Sequence, residues 1–135
     1  MSTTHFNPAR RRMGWRFAAS MSAYVLAVAF ISGWLGWEPP GDGPVVYGLA
    51  MLPPLAIGAS IWSMGVYLVE EPDEFVRMLY VRAVIGAVGV TLFVTTAWGF
   101  LEHYAHVWAP PLFLVGPIFW ASFGVVLPLV IRTYR

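Results

Sequence analysis

Apolar residues come in four blocks of about 20, the length that carries an α-helix across a hydrocarbon core of roughly 30 Å. Span 1 is expected from about Phe17 to Trp37, span 2 from about Val45 to Val69, span 3 from about Ala83 to Leu101 and span 4 from about Leu112 to Ile131. Polar stretches separate them. Residues 1–16 precede span 1 and form a polar tail; 38–44 carry Glu38, Asp42 and five Pro or Gly; 70–82 are rich in charge; 102–111 hold Glu102, His103, His106 and Pro110-Pro111. The pattern predicts an all-α fold, a four-helix transmembrane bundle over 17–135 with no soluble domain beside it.

Charge gives the orientation. Arg10, Arg11, Arg12 and Arg16 precede span 1, Arg77 and Arg82 precede span 3, and Arg132 and Arg135 follow span 4. No basic residue falls in the other two connections, so the positive-inside rule puts both termini in the cytoplasm. Trp34, Trp37, Trp98 and Trp108 sit at the expected outer boundary and Trp15 at the inner one, where indoles favour the headgroup level. Trp62 and Trp120 fall deeper and are expected between helices. The Arg-rich start also suits a signal peptide, and Arg11-Arg12 a twin-arginine signal. The long apolar run ending in Trp, without a small-residue cleavage site, favours a retained span.

Composition agrees: the chain is 59% hydrophobic and 11% charged, with a mean hydropathy of +0.67. The absence of cysteine excludes disulfides, thiol catalysis, thiolate zinc and iron–sulfur clusters. No Asp, Glu, Lys, Arg or His lies within the four apolar blocks. Intramembrane ionisable groups mark proton relays and ion-coupled transport, so a proton-driven pump is disfavoured. So are the small multidrug exporters, which use a carboxylate in their first span.

Small residues predict the packing. Ala83, Ala87, Thr91, Thr95 and Gly99 recur every four residues and form one stripe along span 3; Ala19, Ala23 and Ala27 form a shorter one on span 1. In lipid such stripes let helices approach closely, within the bundle or against a second copy. Pro53-Pro54, Pro117 and Pro128 are expected to kink spans 2 and 4, as plain packing or as the wall of a cavity. Gly33-Trp34-Leu35-Gly36-Trp37-Glu38 and Trp98-Gly99-Phe100-Leu101-Glu102, each ahead of a Pro-Pro pair, hint at a duplicated hairpin.

Three places hold candidate chemistry. Glu102, His103 and His106 are metal-ligand types at close spacing, yet lack the His-Glu-x-x-His order of a metalloprotease and read equally as a solvated loop. No second span supplies a His for haem, and His5 lies in the tail. The richest segment is Glu70–Arg82. Pro72 and the acidic residues suit a helix start, Asp73 and Arg77 are spaced to pair, and Phe75, Val76, Leu79 and Tyr80 give an apolar side. Span 3 therefore begins early, from about Asp73. Asp73, Glu74, Arg77 and Arg82 are either a capped, headgroup-anchored start or a docking surface for a protein partner. No nucleophile with a defined base is present, so no catalysis and no cofactor are expected.

Asp73-Glu74-Phe75-x-Arg77, Arg82-Ala83, Gly86, Thr91 and Trp98-Gly99-Phe100-Leu101-Glu102 resemble a family of uncharacterised small bacterial four-span inner-membrane proteins, over about residues 73–102. The resemblance implies a multi-pass location in the bacterial inner membrane. It also implies a possible cytosolic helix-turn-helix regulator as partner; the Arg pattern is accounted for by topology and gives no sign of direct nucleic-acid binding. The sequence thus favours a non-enzymatic accessory or regulatory protein that docks a partner through 70–82, ahead of an oligomeric small transporter or channel, with an outer-face enzyme built on Glu102, His103 and His106 third.

Overall fold

The computed structural model describes residues 7–35 and 43–135, and every regular element in them is helical. Helix α1 spans Pro8–Leu35, α2 Pro44–Ala50, α3 Leu52–Glu70, α4 Glu74–Ala105 and α5 Val115–Thr133, the last preceded by a 3₁₀ turn at Leu112–Leu114. Four stretches are long and apolar enough to cross a membrane: Pro8–Trp34, Pro44–Glu70, Glu74–Ala105 and Leu112–Thr133. The chain is a multi-pass membrane protein. Glu38 and Asp42 of the first loop, the expected anchor Trp37, the first copy of the suggested repeat beyond Leu35, and His5 lie outside the described residues.

The chain divides into two compact units, Met1–Glu71 and Pro72–Arg135. In the first, α1 lies along α3. The helix of span 1 begins at Pro8, well ahead of the apolar block, because Asn7 and Pro8 together start it. Asn7 Oδ1 accepts from the backbone N–H of Ala9 at 3.0 Å and of Arg10 at 3.5 Å. Pro8 stands at the first helical position, where no N–H is needed. The half-buried positions of α1 follow the helical repeat: Met13, Arg16, Phe17, Ser20, Met21, Tyr24, Ala27, Val28, Ile31 and Ser32. Of the short alanine stripe, Ala19 and Ala23 are exposed and Ala27 is half-buried, so only its last residue lies on the face that α1 turns inward.

Span 2 is broken near its start. Helix α2 ends at Met51, whose φ and ψ of −81° and −14° are still right-handed, and α3 restarts with Leu52 and Pro53 in its first turn. Two successive prolines remove two backbone donors, and a helix start is the place where those donors are not missed. Along α3 the buried residues are Ala56, Ser60, Ser63, Met64 and Tyr67. Both serines donate within the helix, Ser60 to Ile57 O at 2.6 Å and Ser63 to Ala59 O at 2.8 Å. Their hydroxyls are therefore satisfied, and their small bulk admits a close neighbour. Trp62 is 65% exposed. It points away from this face, contrary to the expectation of an interhelical position, because it lies about 200° round the helix from Ser60.

In the second unit α4 lies along α5. Leu79, Ala83, Ala87 and Thr91 are the buried residues of α4. Gly86 faces α5 so closely that an added Cβ would come within 2.7 Å of Val126 Cγ1. Trp120 is buried on α5, edge-on to Phe119 and Phe123. Pro117 falls in the first turn of α5, where its lost donor costs nothing; Pro128 lies within the helix. Trp15, Trp34 and Trp108 are each more than two-thirds exposed, as boundary anchors require.

Candidate functional site

The polar chemistry of the first unit gathers where α1 begins and α3 ends. Glu71 is the C-cap of α3, its N–H bonded to Tyr67 O at 2.9 Å. Its side chain reaches the residue that caps α1: Asn7 Nδ2 donates to both Glu71 carboxyl oxygens, at 3.0 and 2.9 Å. Glu71 is only 1% exposed and Ala9 2%, while Asn7 is half-buried, so the carboxyl is shielded from water on the inner side of the junction. One amide thus caps a helix with its oxygen and satisfies a buried carboxyl with its nitrogen. Around it, Arg12 Nε and Arg16 Nη1 lie 3.4 and 3.5 Å from Glu70 Oε2. These pairs are partly solvated, and such pairs contribute about 0–1 kcal/mol each. They hold the antiparallel helix ends in register more than they stabilise them.

The segment 70–82 is therefore divided between two tasks. Glu70 and Glu71 belong to the first unit and bind its N-terminal helix. Asp73 starts α4: its Oδ1 accepts from Phe75 N–H at 2.9 Å and Val76 N–H at 3.2 Å, a full N-cap. Glu74 follows in the first turn, where a carboxylate suits the positive end of the helix dipole. Glu74 is exposed, and Phe75 is 51% exposed. Arg77 is half-buried. Arg82 stacks on the Tyr134 ring with its guanidinium carbon 4.4 Å from the centroid, a cation–π contact that ties the start of α4 to the end of α5. Of the four expected contact residues, Asp73 and Arg82 have structural duties, and Glu74 with Phe75 beside it faces outward.

The span 3 stripe changes character along its length. Ala83, Ala87 and Thr91 are buried, Thr95 is half-buried and Gly99 exposed. Thr91 and Thr95 return their hydroxyl protons to the helix, to Ala87 O at 2.7 Å and Thr91 O at 2.8 Å.

At the turn of the second hairpin, α4 ends at His106, whose φ of 55° is left-handed. The following segment is tied back by Trp98, whose Nε1–H donates to Trp108 O at 3.0 Å. Glu102, His103 and His106 are exposed, and the His103 ring meets Tyr104 edge-on at 4.8 Å. Among the described residues, no group of three or more His, Asp or Glu side chains is placed to hold a metal ion.

No family model, no curated protein and no solved structure matches the chain. The residue that sequence reasoning missed is Asn7. Its signal was present as Asn-Pro ahead of an Arg-rich run, the pattern of an N-cap followed by Pro at the first helical position, hidden because hydropathy alone drew the helix start at Phe17.

Proposed function

We propose that the chain is a non-enzymatic accessory or regulatory protein of the bacterial inner membrane, with its Arg-bearing helix ends in the cytoplasm, and that it docks a protein partner through the start of α4. The observation that carries this reading is the pairing of Glu74 and Phe75. An acidic side chain and a half-exposed aromatic ring stand together on a capped helix end, while their neighbours Glu70, Glu71, Asp73 and Arg82 are engaged within the protein. Exposed aromatic side chains such as Phe75 are enriched at protein interfaces, and Glu74 adds a charge that a partner can be selected by. The partner surface would accordingly be apolar with a basic rim. A cytosolic helix-turn-helix regulator, suggested by the resemblance over 73–102, is the first candidate.

The test is purification of a tagged copy from its native host in mild detergent, compared with Glu74→Arg/Phe75→Ala. This pair leaves the Asp73 cap bonds to Phe75 and Val76 in place, and amide exchange at the first turn of α4 separates lost docking from a frayed helix. A partner retained by wild type and lost with the double variant supports the reading; equal retention removes it. The second reading, an oligomeric small transporter or channel, draws on the half-buried Thr95 and exposed Gly99, small side chains open to a second copy. Solute flux into liposomes, absent from protein-free vesicles, would favour it.

A further inference from the structure

The turn end of the second hairpin carries a half-open cavity of about 370 Å³, within the size range of small-molecule sites. It lies far along the helices from Glu74 and Phe75 and is independent of the docking reading. Its walls come from α4, from the segment after it and from the start of α5, with Trp98, Gly99, Trp108, Pro111 and Ile118 among them. The Trp98 to Trp108 hydrogen bond fixes one wall against the other. The lining is apolar except for Thr95 and a single ionisable group, Glu102. No Arg or Lys occurs between residues 83 and 131, so this half of the hairpin carries no permanent positive charge. Glu102 shares the cavity lining with Trp98 and Trp108, and Trp side chains favour the lipid headgroup level. A carboxylate with indole faces is the composition that attracts an ammonium group, and the apolar walls suit a hydrocarbon chain.

We propose that this cavity binds an amphiphile with one ammonium head and an apolar chain, the head at Glu102 between Trp98 and Trp108 and the chain along Gly99 and Ile118. Such a molecule is either a membrane lipid with an ammonium headgroup or a free lipophilic amine. The full-length protein in dodecyl maltoside micelles is dialysed to equilibrium against radiolabelled dodecyltrimethylammonium, with empty micelles and dodecyl sulfate as controls. The chain length is shared by all three, so differences report the head. Saturable binding above empty micelles is expected, with dodecyl sulfate at least about tenfold weaker, as a nearby like charge at the interface requires. Glu102→Gln should weaken the cation at least about fivefold. Gly99→Leu should also abolish binding, by filling the cavity with Glu102 still in place; an added Cβ at Gly99 meets nothing within 4 Å, so this variant keeps the helix. Competition by phosphatidylethanolamine added to the micelles identifies the lipid as the source, and its failure to compete identifies the free amine. Binding no greater than to empty micelles, equal binding of dodecyl sulfate, or full affinity in both variants overturns the proposal.

Discussion

Replacing Asn7 with Ala removes two things at once. The cap of α1 is lost, at a cost of about 1 kcal/mol. Glu71, 1% exposed, also loses the amide that donates to both its oxygens; hydrogen bonds to a charged group contribute about 1–3 kcal/mol even where the group keeps other contacts. The sum is about 2–4 kcal/mol. Asn7→Ser separates the terms, because its hydroxyl still caps the helix but is too short to reach Glu71. It should cost less than Ala by most of the capping contribution. The decisive quantity is the coupling between positions 7 and 71, measured by unfolding Asn7→Ala, Glu71→Gln and the double variant in mixed micelles of dodecyl maltoside and dodecyl sulfate. The geometry predicts a coupling of about 1–2 kcal/mol, as for residues in direct contact. Hydrogen exchange should localise the loss to the first turn of α1. A coupling within about 0.3 kcal/mol of zero, the level of independent sites, would refute the idea that this amide joins the two helix ends.

Asp73→Ala should lower stability by about 1 kcal/mol and fray the start of α4, whereas Asp73→Ser should retain most of the capping; amide exchange at Phe75 and Val76 distinguishes them. Gly86→Leu should overpack against Val126, whose β-branched side chain has little freedom to turn away, and cost about 1–3 kcal/mol. Val126→Ala in the same chain should restore much of that loss, read as recovery of the thermal unfolding midpoint; no recovery would mean the strain lies elsewhere.

The architecture was legible because lipid imposes a simple rule. Every backbone group must be satisfied within a helix, so apolar blocks of sufficient length report the crossings directly. The early start of span 3 was equally readable, since Asp73, Glu74 and Arg77 carry the cap and dipole chemistry of a helix N-terminus. Hydropathy could not see Asn7-Pro8, which starts a helix inside a polar segment. Nor does small-residue spacing reveal which face a helix turns inward. Ala19 and Ala23 have the same spacing as Ala83 and Ala87, yet the first pair is exposed and the second buried. The difference lies in the neighbours, Ser20, Tyr24 and Val28 on α1 against Gly86 on α4. The division of 70–82 was also hidden. Whether Glu71 faces a partner or its own chain depends on a residue 64 positions away, and local patterning carries no such information.

The most direct test of the docking account is site-specific photo-crosslinking in living cells, with p-benzoylphenylalanine placed at position 75 and, as an exposed control within the apolar stretch of α4, at position 93. Phe75 and Phe93 are both well exposed, 51% and 75%, so the two sites differ in surroundings more than in access. The account predicts a discrete protein adduct from position 75 that disappears when Glu74→Arg is added, and none from position 93. No adduct at 75 above that at 93, or one indifferent to Glu74, would contradict it.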